Sequence, residues 1–205
     1  MDWSLLHSLN SFFLHHDGVE DPVLAYVNAA EILFAGMLVL VILLARGRRL
    51  AGWRRAAVAG GLSAGLALAI GRVISTAAYR ARPFVAHPTG VHLFARHAAD
   101  ASFPSDHATA AFAIGTAIVL RKRWWGVVVL VAAAVLSVGR VALGLHYPSD
   151  VLGGAVIGIA TALLLWVPPL RIRLDALADL TGGLLDRVLA RFAARLGAGR
   201  FAWRR

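Results

Sequence analysis

Five apolar stretches of this chain approach the length that crosses a bilayer, at 23–45, 56–79, 105–120, 124–145 and 150–167. A hydrocarbon core needs about 20 helical residues, and a backbone inside it has to satisfy its own polar groups. Hydrophobic residues make up 59% of the 205, and charged residues only 16%. A soluble domain of this size could not hide so much apolar surface, and disorder is excluded for the same reason. The expectation is an all-α integral membrane protein with five transmembrane helices. Residues 1–170 form the membrane domain and 171–205 a basic cytoplasmic tail. The third and fifth stretches are short and begin with polar residues, which fits helices whose outer ends line a wet site. The chain has no cysteine, so disulfides, thiolate nucleophiles and cysteine metal sites are excluded.

Charge supplies the orientation. Lys and Arg number 21 against 11 Asp and Glu. Sixteen of the 21 fall in three segments: Arg46, Arg48, Arg49, Arg54 and Arg55; then Arg121, Lys122 and Arg123; then Arg171, Arg173, Arg187, Arg191, Arg195, Arg200, Arg204 and Arg205. In a five-span chain all three lie on one side, which the positive-inside rule makes cytoplasmic. The N-terminus, the 80–104 loop and the turn at 146–149 are then outside. Trp3, Leu5, Leu6, Leu9, Phe12, Phe13 and Leu14 predict a short interfacial helix on the outer face, not a signal peptide. Leu174 through Leu196 recur at helical spacing beside Arg187, Arg191 and Arg195. That pattern predicts a basic amphipathic helix on anionic lipid rather than a nucleic-acid surface.

Five basic residues oppose the bias: Arg72, Arg80, Arg82, Arg96 and Arg140. The eight histidines also collect on the outer side, at spacings that match no standard ligand set, so no metal or other cofactor is expected. Glu31 lies inside the first span, where an unpaired charge is costly; pairing with Arg72 is the expectation.

Three polar islands interrupt the outer ends of the spans: Tyr79-Arg80-Ala81-Arg82-Pro83-Phe84, then Ser102-Phe103-Pro104-Ser105-Asp106-His107-Ala108, then the run from Gly139 and Arg140 through His146 to Asp150. Arginines grip phosphate oxygens and stay charged. A helix starting near Ser105 offers backbone N–H groups to an anion. One histidine can attack phosphorus while a carboxylate orients it, and a second can protonate the leaving oxygen. Arginines alone can neutralise the transferring group, so this chemistry does not require a metal.

With these residues the chain resembles the type 2 phosphatidic acid phosphatase (PAP2) superfamily. That family's pattern is Lys-x6-Arg-Pro, Pro-Ser-Gly-His and Ser-Arg-x5-His-x3-Asp. Here stand Arg82-Pro83, Pro104-Ser105-x-His107 and Arg140-x5-His146-x3-Asp150. The resemblance implies a PAP2-like helical bundle in which His146 is the nucleophile, Asp150 its orienting partner and His107 the general acid. It assigns phosphate binding to Arg82, Arg140 and Ser105, and Arg80 and Asp106 are placed with them as candidates in the phosphate site. Three positions depart from the pattern. Ser75 stands where the family has lysine, with Arg80 or Arg72 as candidate substitutes. Asp106 replaces the glycine, as in bacterial undecaprenyl-diphosphate phosphatases of the bacitracin-resistance type, and is expected beside an arginine such as Arg80. Gly139 replaces the serine of the third motif.

The implied activity is metal-independent hydrolysis of undecaprenyl diphosphate at the outer face of a bacterial inner membrane, through a phosphohistidine. Phosphatidylglycerol phosphate or phosphatidic acid is the alternative substrate. A transporter built on Glu31 and Arg72 is disfavoured by the lack of an inverted repeat, and a haloperoxidase by the apolar chain. Arg96, Phe94 and His97 sit in the long 80–104 loop, where they are either plain loop residues or contacts to head group or membrane.

Overall fold

The computed structural model describes residues 2–201, with side chains described throughout except at Asp17, Arg48 and 195–201. These residues form eight helices and no strand: α1 (Asp2–Leu14), α2 (Asp17–Leu44), α3 (Gly47–Ala77), α4 (Pro83–Ala86), α5 (Asp106–Val119), α6 (Arg123–Ala142), α7 (Pro148–Trp166) and α8 (Pro168–Phe201). Four segments are long and apolar enough to cross a membrane: Gly18–Leu44, Arg49–Ala77, Arg123–Ala142 and Pro148–Trp166. Their outward faces carry Ile32, Leu40, Val73, Val131, Leu152 and Val156, all exposed on the protein. Such a surface suits lipid.

The third expected span is not among these four. At 105–120 the chain forms α5, a helix of 14 residues. At 1.5 Å per residue that is about 21 Å, short of a hydrocarbon core. It forms the centre of the bundle, packed by α3, α6 and α7. Ala108, Ala111, Ala113, Ile114 and Ala117 are buried along it. Its contact with α7 depends on small residues. A Cβ at Gly158 would lie 2.4 Å from the Thr109 carbonyl oxygen and 2.8 Å from the Ala113 nitrogen. No side chain fits between the two backbones there, which is how small faces let helices approach in lipid.

The terminal helices are bound to protein more closely than the sequence suggests. On α1, Leu6 is fully buried and Asn10 and Phe13 nearly so. The Asn10 amide donates to the carbonyls of His92 (2.9 Å) and Ala142 (2.8 Å) and accepts from the His92 amide (2.8 Å). The helix therefore clamps the 80–104 loop to the end of α6, in place of simply lying on the membrane. At the opposite end of the bundle, α8 docks through its acids. Arg54 pairs with Asp186 (3.0 Å), Arg55 with Asp179 (2.5 Å) and Arg121 with Asp175 (2.9 Å). Three of the arginines read as sidedness signals thus also hold the tail helix. The Arg48 side chain and those of Arg195, Leu196 and Arg200, with Arg204 and Arg205 entire, lie outside the described residues.

Replacing Gly158 with alanine overpacks the α5–α7 contact and is expected to cost about 1–3 kcal/mol, lowering Tm by roughly 3–10 °C. A Cβ at Gly65 meets nothing within 4 Å, so Gly65→Ala serves as the control. Thermal melts in detergent, read by circular dichroism, should separate the two.

Candidate active site

The site is assembled where three chain segments end. Arg140 lies in the last turn of α6 and His146 in the turn before α7. The α7 start is locally determined: Pro148 stands in the first turn, and the Asp150 carboxylate accepts the Tyr147 amide (2.8 Å). Pro suits that position because its missing N–H would have no helical acceptor. Arg82 precedes the short α4, also with proline at its start. Ser105 is the N-cap of α5, followed by Asp106 and His107.

His146 is almost completely buried, and its hydrogen bonds define its tautomer. Nδ1 lies 2.9 Å from the Ser102 carbonyl, which can only accept, so Nδ1 carries the proton. Nε2 lies 3.1 Å from Arg82 Nη1 and 3.1 Å from Arg140 Nη2, which can only donate, so Nε2 holds the lone pair. Burial, reinforced by Arg140 and Arg82 against Asp150, pushes the His146 ring down to about 4. It is neutral at physiological pH.

Asp150 is fully buried. Its Oδ2 stands 3.8 Å from His146 Nδ1, beyond hydrogen-bond reach. The carboxylate instead accepts from Ser102 Oγ (2.6 Å), and the Ser102 carbonyl in turn accepts from His146. Ser102 is the residue that sequence reasoning missed: it stands in the second island, yet no motif marks it. The resemblance gives Asp150 to His146 directly; here the link passes through Ser102 and through the field of the carboxylate.

Arg82 donates through Nη1 to the Leu145 carbonyl (3.0 Å) and pairs through Nε with Asp100 (2.7 Å). Arg140 Nη2 also lies 3.2 Å from His97 Nε2. The 80–104 loop therefore supplies two side chains to the arginine pair, of which only His97 was singled out in the sequence. Burial alone would raise the Asp100 carboxyl, but the Arg82 guanidinium outweighs it and holds the acid below its usual range. His97 is held low by burial and the two arginines. Two polar atoms here are buried without a partner, Arg140 Nε and Ser105 Oγ. The amides of Asp106, His107 and Ala108 open α5 and have no intrahelical acceptor.

Other expectations are corrected. Arg80 is not in this cradle. It pairs with Asp2 (3.0 Å) and Asp150 (3.0 Å), donates to Ser149 Oγ (2.6 Å) and lies over the Tyr147 ring. Asp2 also accepts from the Ser149 amide (2.9 Å) and from its hydroxyl. Arg80 thus ties α1 to the α7 start, and Asp106 does not bond to it. Burial would raise the Asp2 carboxyl, but the Ser149 hydrogen bonds and Arg80 hold it below the usual range. Glu31 does not pair with Arg72. Its Oε1 lies 3.1 Å from His107 Nε2, whereas Arg72 is exposed and acts electrostatically on Asp106. Ser75 donates to the Arg72 carbonyl (2.9 Å).

A ring nitrogen with a free lone pair, faced by two permanent cations, suits an anion that brings several oxygens of its own. In a bundle of membrane-length helices this is the arrangement of a membrane phosphatase. Residues 56–172 match the PAP2 superfamily, and the chain belongs to it. It is 35% identical over 150 residues to the undecaprenyl-diphosphatase BcrC of Bacillus subtilis, covering 73% of this chain and 75% of that one. It is 44% identical over 89 residues to the putative undecaprenyl-diphosphatase YbjG of Escherichia coli, covering 42% and 44%. Among solved structures, a PAP2-type phosphatidylglycerolphosphate phosphatase from Bacillus subtilis superposes with a TM-score of 0.57 at 19% identity, over 80% of this chain and 82% of that one.

The pH dependence of His146 follows from its environment. The folded ring gains its proton near pH 4, whereas an unfolded one gains it near the ordinary histidine value of 6.5. The unfolded state binds more protons between these values, so stability falls as pH drops through that window. Nitrogen NMR on ¹⁵N-histidine protein, with His146→Asn for assignment, should show one neutral ring protonated at Nδ1 down to about pH 5.

Proposed function

We propose that the chain hydrolyses undecaprenyl diphosphate to the monophosphate and inorganic phosphate, through a phosphohistidine and without a metal. The observation that carries this reading is the His146 lone pair held between Arg82 and Arg140. The identity to named undecaprenyl-diphosphatases supports the substrate. In the first step the terminal phosphate binds with its oxygens on both arginines, on Ser105 Oγ and on the α5 amides. Nε2 of His146 attacks phosphorus in line, and the bridging P–O bond breaks. His107 gives its proton to the departing lipid phosphate. Water then attacks the phosphohistidine, His107 takes the water's proton, and the P–N bond breaks. Asp150 and Ser102 hold the ring during both steps, and their fields favour the positive charge that the ring gains on attack. Asp106 and Arg80 stay outside the transferring group, Asp106 at the cavity rim and Arg80 behind Asp150.

A cavity of about 540 Å³ opens beside His107 and Asp106 and runs down between α2, α3 and α5, past Ala30, Phe34 and Leu38. It supports entry of a lipid tail sideways from the membrane, with the head group at the arginines. In this reading α5 completes five passages of the bilayer. The arginines at the α8 end are cytoplasmic, and the phosphatase site faces outside a bacterial inner membrane. The α8 surface turned away from α3 then meets anionic lipid.

The test is phosphate release from undecaprenyl diphosphate by purified protein in mixed micelles with EDTA. Wild type should turn over, His146→Ala should abolish the reaction, and His107→Ala should lower kcat on the order of 100-fold or more. An acid-labile phosphohistidine should be trapped from His107→Ala, not from His146→Ala. Sensitivity to EDTA would overturn the metal-free mechanism. Faster turnover of phosphatidylglycerol phosphate or phosphatidic acid would move the substrate to the alternative class.

A further inference from the structure

Glu31 stands near the middle of α2, within the apolar segment Gly18–Leu44. Its side chain is 77% accessible on the protein, open to the same cavity that His107 and Asp106 line. A carboxylate on such a surface is costly in a membrane, and sites of this kind are retained for function. Its partner is His107, at 3.1 Å between Oε1 and Nε2. Glu31 comes from a helix outside all three sequence motifs, 76 positions upstream of His107 by their numbers.

The general acid needs this help. Arg140, His146, His97 and Arg82 all act electrostatically on His107 and oppose a charge on its ring. The carboxylates facing it are Glu31, in contact, and the neighbouring Asp106 at the cavity rim. A general acid has to hold its proton until the leaving oxygen departs. A carboxylate can only accept, so this 3.1 Å approach favours a proton on Nε2, and Nδ1 is then the nitrogen left to serve the substrate.

We propose that Glu31 is the positioning residue of the general acid: its carboxylate holds the His107 ring by Nε2 and offsets the surrounding positive charge, so that Nδ1 delivers a proton to the leaving oxygen. The proposal rests on the phosphatase reading above. The proton on Nδ1 goes to the oxygen as the P–O bond breaks. The attacking water returns a proton to Nδ1 as the P–N bond breaks. Nε2–H stays with Glu31 throughout, so no proton is gained or lost over the cycle at this pair.

The experiment is a double-mutant cycle on full-length protein in mixed micelles, with undecaprenyl diphosphate as substrate. Glu31→Gln is expected to lower kcat about 10–100-fold while KM changes less than about threefold, because the loss falls on a step after binding. In a His107→Asn background the same substitution should change kcat less than about twofold, since the two residues act as one unit. Glu31→Asp keeps the charge and should recover part of the loss. It also keeps the test open where Glu31→Gln melts early or elutes as aggregate. The proposal is overturned by wild-type kcat in Glu31→Gln, by a loss confined to KM, or by an equal fold-loss in both backgrounds. Wild-type protein that releases no phosphate from any lipid phosphate overturns the phosphatase reading itself; wild-type turnover with any of the three preceding results overturns the Glu31 role alone.

Discussion

Two guanidinium groups that never lose their charge approach the same histidine nitrogen, each at 3.1 Å, and both arginines are nearly fully buried. Like charges so placed repel more strongly than they would in water, because the surrounding dielectric is low. The fold holds them there by fixing their other atoms. Arg82 is anchored by Asp100 and the Leu145 carbonyl, and Arg140 is carried on the last turn of α6. Its Nε nonetheless remains without a partner. A phosphate group placed between the two relieves the repulsion and meets the free donor together. That is electrostatic preorganisation, in which donors already aim at a charge before it arrives.

The bundle gives this cluster its depth. α5 stops well short of its neighbours. Gly71 of α3 packs on Pro104, just before α5 begins, and α3 continues to Ala77. Six residues of helix place the α5 start about 9 Å below that end. The recess is roofed by the 80–104 loop, and α1 clamps that loop through Asn10. The short helix, the glycine face of α7 and the clamp are one device. Lengthening α5 would fill the recess, and loosening α1 would release the loop that carries Asp100 and His97.

The sequence made the site's arginines and histidines legible because the proposed chemistry dictates residue type and chain order. Arg82, His107, Arg140 and His146 meet at one end of the bundle, as their motifs require. Partner choice was less legible. Arg80 is separated from Arg82 by one residue and looks equivalent in a string, yet local backbone direction sends it to Asp2 and Asp150. Glu31 was visible as a costly charge, but its partner depends on how α2 lies against α5, which no periodicity encodes. The central place of α5 was less legible too, because burial by three neighbouring helices demands the same apolar composition of residues 105–120 as lipid does. The docking of α8 was hidden for a similar reason. Asp175, Asp179 and Asp186 are a minority in a basic segment, and their arginine partners lie more than 50 residues away along the chain.

The location of the acid also bears on how tail and head are read together. Glu31, His107 and Asp106 line the upper part of a cavity that continues along α2 and α5 past Phe34, Leu38 and Ile114. On the proposed reading, the same helix that receives the tail also holds the general acid through Glu31. A tail that seats along α2 fixes the distance from its first carbons to the phosphate, and hence the position of the leaving oxygen relative to His107. Binding energy from the remote apolar chain is then used to place the reacting atoms, which raises turnover and not affinity alone. A soluble phosphate ester would reach the arginines without that constraint and would meet the acid less often in the geometry that transfers a proton. Preference for a membrane-held substrate would in this way reside in the scissile step as well as in binding.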